Sequence, residues 1–447
     1  MNRLLRVNTL GCRWDLDLSA LKPEFAARVE VLWARAAAPD ADVSEPDGFP
    51  QVVRVGPPLA KSEVEVLADE DVFLGDGDRA IADEDVFLGD GAVESVGAGD
   101  LGGEGDLGVA TKPEGTAKDA DLLQVDRHRD RFAYSLSGDL TRRSVAAQAG
   151  RMTMLHGAAL ALPETGATLV LVAPSGTGKT TATRTLGRFL GYLTDETAAI
   201  RPDMSMLAHP KPLSMISGPD HHGHKEEFSP DELGLLVAPA DTWLAATVIL
   251  RRDDEFVEPR LEPSRLMDAL IATIPQSSSL PTQPEPLSGL ARVLTQGRGV
   301  HLLSYAEIDT CRELIVDLLV GARAEPGTHE WTALPPSGDE VGEVWEGYPG
   351  EADPVVDPQV RYVRAPWRDA LKTDGEILVL NGPLPMRLMG IGTVVWLVAR
   401  TPSTLAEIAV QVVAECGHHP DAEALVADAI REFLVQGLLR PAPPTGP

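Results

Sequence analysis

The sequence predicts an α/β protein with a second, smaller module at its C-terminus that reads as winged-helix-like α+β. Three observations carry this reading. Strand-like apolar runs alternate with helical spacing from the first residues to about residue 320. One of those runs, LVLV, passes directly into a glycine loop and then a helical stretch. Residues 359–447 then carry a pattern of their own, a strand pair followed by three amphipathic helices.

In chain order, residues 1–62 read as a small α/β start. LRVNTL and RWDLDL alternate as strands, and residues 23–38 place Phe25, Val29 and Leu32 at helical spacing. Residues 63–122 form an acidic, glycine-rich insertion. It holds a direct repeat, ADEDVFLGDG, at 68–77 and again at 82–91. Two copies are too few for a solenoid. The repeat also lacks the D-x-[DN]-x-[DN]-G order and the twelfth-position Glu of a calcium hand, so a solvated or weakly hairpinned insertion is the reading. Residues 123–324 are compact in character. RFAYSLSG reads as a strand and 140–149 as a short helix. MLAHPKPLSMI, TWLAATVILRR and GVHLLSYAEI follow as strand-like pieces, with helical spacing at 264–274 and 309–319. Residues 325–358, rich in Pro and Gly, read as an interdomain linker.

The formal charge is −29, from 68 acidic and 39 basic residues in 447. Residues 63–122 and 325–358 together hold 24 of those 29 excess charges. The acidity argues against a nucleic-acid partner, which wants a basic face for phosphates. Cys12, Cys311 and Cys416 show no metal or disulfide spacing, so a reducing, cytoplasmic setting is expected. No signal peptide is expected, and no apolar run reaches the ~18 residues of a membrane span.

The motif with the most chemistry is LVLVAPSGTGKTT. Residues 169–172 supply the strand, and Gly176 and Gly178 let backbone N–H groups turn towards a phosphate. Ser175, Thr177 and Thr181 complete the candidate nucleotide loop. Lys179 reaches the outer phosphates, and Thr180 places a hydroxyl for Mg²⁺. Ala173 stands where the full motif begins with Gly. Further on, GYLTDETAAI ends a strand with Asp195 and Glu196, a carboxylate pair suited to holding metal or taking a proton. His156, in MLHGAAL, is either a core histidine or a participant. Lys211, Lys225, Arg251 and Arg252 are candidates for steadying phosphoryl charge, and surface charge explains them equally well. His221, His222 and His224 lie together without a fourth zinc ligand, so their loop is expected to serve substrate instead.

The order LHGAAL, SGTGKT, TDE resembles the catalytic core of the HPr kinase/phosphorylase family, which shares a fold with phosphoenolpyruvate carboxykinases. The resemblance is specific over residues 155–199 and diffuse to about 321. It implies a P-loop kinase using ATP and Mg²⁺. Lys179 and Thr180 would lie on the nucleotide, Asp195 would act as base towards a Ser hydroxyl, and His156 would sit beside the transferring phosphate. It also implies metal contacts from Thr180, Asp195 and Glu196, although Glu196 stands where the family has a second Asp. The Arg- and Gly-rich loop of the bifunctional members has no counterpart here, which counts against phosphorolysis and against HPr as substrate.

In the C-terminal module, ILVLNG is a strand, GTVVWLVA a helix, and Thr404 with Glu407 forms a capping box ahead of Leu405, Ile408 and Val412. Residues 421–434 repeat the helical pattern. VLNG, the Trp396 helix, TLAEIA and FLVQGLL resemble the PqqD-like family of peptide-recognition domains. That resemblance implies a precursor-peptide partner whose leader adds as a strand at residues 386–389, with Leu425 and Val426 lining the groove. Together the two resemblances imply an ATP-dependent kinase of a Ser or Thr hydroxyl on a ribosomally synthesised precursor peptide, as in lasso-peptide pathways. A kinase of a small molecule such as free serine, a kinase of a carrier protein such as HPr, and a non-enzymatic nucleotide switch stay open, as does a homo-oligomer.

Overall fold

The structure, a computed structural model, describes residues 3–37, 51–55, 93–95, 121–123, 129–174, 176–216, 225–325, 327, 329–337, 354–382 and 384–443. Its first layer is a four-stranded sheet in the order Leu4–Thr9, Cys12–Asp17, Gln51–Val55, Asp121–Leu123. The hairpin between the first two strands turns through Leu10 and Gly11, both at positive φ (51° and 74°). Such a turn matches the twist of the strands, and at Leu10 it strains a residue with a Cβ. The Leu10 side chain is fully buried among Met152, Met154, Ala199 and Leu207, which offsets that strain.

Helices Pro23–Leu32 and Arg129–Gln148 cover this sheet. The second corrects the sequence expectation, because RFAYSLSG is helical and continuous with the turns that follow. Phe132, Leu136 and Leu140 recur every four residues and fill one apolar cluster with Trp14, Val29 and Trp33. The local alternation of FAYSL resembled a strand only because the window was shorter than two helical turns.

The second layer is a larger mixed sheet. Three parallel strands, Ala167–Val172, Trp243–Arg252 and Val300–Tyr305, lie side by side. Thr153–Ala161 lies antiparallel beside Ala167–Val172, with Thr197–Ile200 antiparallel to it in turn, and Arg260–Pro263 lies antiparallel on the other side. Alternation along the strands splits the core in two. Val170 and Val172 face helices Leu266–Thr273 and Pro286–Leu294, while Leu169 and Leu171 face Lys179–Leu186 and Arg312–Leu319. Helix Pro286–Leu294 was not foreseen from the sequence.

The C-terminal module is built on a meander, Asp369–Thr373, Glu376–Asn381 and Leu384–Leu388. Its capping box forms as expected, Thr404 Oγ1 accepting from Glu407 N at 3.3 Å while Thr404 N donates to Glu407 Oε2 at 2.8 Å. The helices Gly390–Val398, Leu405–Cys416 and Ala422–Val435 all match expected positions. Period-two alternation gives the meander two buried faces. Ile377 and Val379 pack on the module's helices, whereas Leu378 and Leu380 pack on Leu287 and Leu290 of the core. Asp369 Oδ2 accepts from the N–H groups of Leu287 and Ser288 at 2.8 and 3.1 Å, capping the unforeseen helix. The module is therefore docked on the core.

Three boundaries change. Trp331–Ala333 pairs with Asp369–Thr373, so the stretch 325–358 supplies a strand to the module as well as a connection. From the acidic insertion, Asp121–Leu123 joins the N-terminal sheet and Val93–Ser95 joins the module's sheet. Both copies of the repeat lie outside the described residues. Finally, Val426 is fully buried in the module's core and lines no open groove. No helix among the described residues is long and apolar enough to cross a membrane.

Candidate functional site

The strand Ala167–Val172 is buried at every position, and the chain leaves its carboxyl end through the glycine loop into helix Lys179–Leu186. Gly176 and Gly178 take φ of 81° and 90°, with open space where a Cβ would point. These glycines serve the backbone path, not packing. Ala173, where the motif has Gly, is buried in the apolar cluster with Ala182 and Leu186, so its methyl is accommodated.

Lys179 is 7% exposed. Its Nζ curls over the loop to donate to the carbonyls of Ala173 at 2.5 Å and Pro174 at 3.0 Å. Burial pushes its ammonium down to about 8, and Asp195 opposes that shift. Thr177 Oγ1 donates to Pro174 O at 2.6 Å, tightening the turn. Thr181 is exposed, and Ser175 lies outside the described residues.

The strand Gly191–Thr194 delivers Asp195 and Glu196 beside that loop. Thr180 Oγ1 is 3.5 Å from Asp195 Oδ2, the link between loop and carboxylates. Asp195 Oδ1 accepts from Tyr192 OH at 3.1 Å and lies 3.3 Å from Lys211 Nζ. Glu196 Oε2 lies 3.0 Å from the same ammonium. Burial and Glu196 raise the Asp195 carboxyl, with Lys211 opposing. Glu196 is also desolvated, yet Lys211 and His209 hold it below the usual carboxylate range. Lys211 is desolvated too, but Asp195, Glu196 and Glu227 keep it firmly charged.

His156 projects from Thr153–Ala161 at the position paired with Thr197, next to the carboxylate turn, and Gly157 N donates to Glu196 O at 2.9 Å. The glycine after the histidine has a steric cause, since a Cβ there would meet Leu171 O at 2.6 Å. Burial first, then Lys179 and Lys211, depress the His156 imidazole. His156 is thus a largely neutral ring within electrostatic reach of Lys179, Glu196 and Lys211.

Four members of this cluster were not foreseen. Tyr192 is buried, and its single O–H is shared between Asp195 Oδ1 and Lys211 O, the latter at 3.0 Å. Glu227, from the short strand Lys225–Phe228, is 2% exposed, accepts from Ser214 Oγ, and is pushed up by burial to about 7. His209 is fully buried, shares a 3.0 Å hydrogen bond with Thr141 Oγ1, and is depressed by burial to about 3. Thr141 comes from the N-terminal layer's long helix, so that layer closes the floor of the site. H-P-K in the sequence was the available signal, because charged residues amid MLAHPKPL point to a paired interior lysine.

Of the four basic candidates, Lys211 reaches the site. Arg251 stacks on Phe256, with its guanidinium carbon 5.1 Å from the ring centre, and Arg252 bonds Ala306 O at 3.1 Å and Glu307 at 3.3 Å. The Lys225 side chain and the three clustered histidines lie outside the described residues. Among the described residues no group of three His, Cys, Asp or Glu is set to hold a metal. The donors present instead fit a Mg²⁺ held mostly by phosphates, through Thr180 and Asp195. Glu196, the third residue expected at the metal, meets Lys211 Nζ through Oε2, and the same ammonium meets Asp195 Oδ1.

No protein-family model matches the chain, and no curated protein does. Among solved structures it is similar to the HPr(Ser) kinase/phosphatase from Coxiella burnetii, at 10% identity and a TM-score of 0.21, over 37% of this chain and 93% of that one. The mixed α/β architecture with its parallel strands and strand–loop–helix turn rests on the geometry above.

Proposed function

We propose that the chain is an ATP- and Mg²⁺-dependent phosphotransferase that phosphorylates a Ser or Thr hydroxyl of a ribosomally synthesised precursor peptide. The observation that carries this reading is the convergence of Lys179, Thr180 and Asp195 at the end of one parallel strand. The loop N–H groups and Lys179 bind the nucleotide phosphates, and Lys179 neutralises charge on the transferring group. Mg²⁺, held by Thr180 and Asp195, supplies further neutralisation when bound. Asp195 Oδ2 takes the proton of the acceptor hydroxyl as the oxygen–phosphorus bond forms and the bond to the ADP oxygen breaks. Tyr192 and Lys211 hold Oδ1 and fix the carboxylate's orientation. His156, neutral, lines the path of the phosphoryl group.

Support for a peptide substrate comes from the C-terminal module, whose meander and three helices hold the VLNG, TLAEIA and FLVQGLL segments that resemble peptide-recognition domains. Purified chain, ATP, Mg²⁺ and a precursor peptide encoded beside it are to be combined and the peptide weighed by mass spectrometry. One added phosphate on a hydroxyl supports the reading. An unmodified peptide with free serine phosphorylated in its place would redirect it to a small-molecule kinase.

A further inference from the structure

Helix Pro23–Leu32 of the N-terminal layer reaches across to one segment of the core, residues 225–237. Arg28 donates from one nitrogen to Glu232 Oε1 at 2.5 Å and from another to the carbonyl of Glu227 at 2.8 Å. Arg35, just past the helix end, donates to Asp231 Oδ1 at 2.8 Å, to Leu236 O at 3.0 Å and to Leu235 O. We propose that the N-terminal layer holds the pocket around Asp195 in its reactive geometry, with Arg28 and Arg35 as positioning residues for phosphoryl transfer. The proposal rests on the reading of the chain as a phosphotransferase.

The two arginines grip the segment at both of its strands. One end, Lys225–Phe228, carries Glu227, which is 2% exposed and acts on the charge of Lys211. The other end, Leu236–Val237, pairs in parallel with Gly191 and Tyr192. The approach there is close, since a Cβ on Gly191 would meet Ala238 Cα at 2.6 Å. A displacement of residues 236–238 therefore moves residues 191–192, and Tyr192 OH bonds Asp195 Oδ1 at 3.1 Å. Between its ends the segment is a run of turns, with Leu233 N bonded to Ser229 O at 3.2 Å and Gly234 N to Asp231 O at 3.0 Å. Bonds this local do not set where the segment sits on the core. The two strands and the planar arginine forks do.

A third contact comes from the same layer. Thr141 Oγ1 donates to Ser137 O at 2.9 Å, so at 3.0 Å from His209 Nε2 it accepts the ring's N–H. This fixes the proton of a fully buried ring on Nε2. The His209 backbone N–H bonds Leu193 O at 2.9 Å, on the strand that delivers Asp195, and His209 O accepts from Lys211 N at 2.8 Å. Arg28 and Arg35 themselves act through Glu227 and Tyr192. Their ion pairs with Glu232 and Asp231 reach solvent, so the pairs contribute little to stability and their role is separable from folding.

The test uses the full chain with ATP, Mg²⁺ and the precursor peptide. It compares wild type with Arg28→Gln plus Arg35→Gln, with Arg28→Lys plus Arg35→Lys, and with Arg3→Gln. The last breaks the 2.6 Å Arg3–Glu30 pair inside the N-terminal layer and leaves the contacts to the core in place. The glutamine pair should lower kcat ~10–100-fold with KM for ATP within ~2-fold, because a small misplacement at the reacting atoms is costly. The lysine pair should recover part of that loss, and Arg3→Gln should keep wild-type kcat. Without nucleotide, hydrogen exchange at 191–195 should quicken in the glutamine pair and stay unchanged in Arg3→Gln. Wild-type kcat in the glutamine pair, an equal loss in Arg3→Gln, or unchanged exchange at 191–195 overturns the proposal. If the wild type transfers no phosphate, the proposed function fails, while quickened exchange at 191–195 still supports the hold of the layer on the pocket and unchanged exchange still overturns it.

Discussion

Lys211 Nζ lies 3.3 Å from Asp195 Oδ1 in an ion pair whose side chains are 3% and 4% exposed. A pair so buried is held by mutual need, since either charge alone is poorly solvated there. Lys211→Met is therefore expected to destabilise the fold by ~3–5 kcal/mol. Urea unfolding checks this, and adding Asp195→Asn to that variant should recover part of the loss.

Glu227 adds a pH dependence. Its folded carboxyl titrates at about 7 against 4.5 for a free glutamate, because burial favours the neutral form. The folded state holds that proton more tightly, so the stability it contributes is complete below about pH 4.5 and is lost as pH rises through about 7. Glu227→Gln should flatten this slope by up to ~3 kcal/mol between pH 5 and 8, read by denaturant unfolding at both values.

The Asp369 cap ties the module to the core. Asp369→Ala leaves two helix N–H groups without their acceptor and should cost ~1–2 kcal/mol in urea unfolding. Core and module should still unfold in one transition. Deleting residues 361–447 bares the apolar face that Leu371, Leu378 and Leu380 cover, so that truncation should aggregate in light scattering.

Lys179→Ala and Asp195→Asn divide binding from chemistry. The first removes the cation at the loop and should weaken nucleotide binding, as calorimetry would show. The second keeps the shape of the side chain and removes a base, so nucleotide should still bind while transfer falls ~10²–10⁴-fold.

The strand–glycine loop–helix and the carboxylate turn were legible because their chemistry is local, set by Gly176, Gly178, Lys179 and the Asp195–Glu196 pair within a short span. The same holds for the module's helices, whose Thr404 cap and apolar spacing are read within two turns. Tyr192, His209 and Glu227 were not legible, since their burial is set by partners outside any local window: Leu160 for Tyr192, Thr141 for His209 and Ser214 for Glu227. The strand within residues 325–358 was missed for a related reason. Trp331–Ala333 is too short to show alternation and becomes a strand only beside Asp369–Thr373.

The most direct test follows the γ-phosphate of ATP in a single turnover with the precursor peptide, comparing wild type with Asp195→Asn at matched nucleotide occupancy. The label should appear on a peptide hydroxyl with wild type and be lost with the variant. Equal transfer by both proteins, or none by a wild type that binds ATP and Mg²⁺, would contradict the assignment of this site.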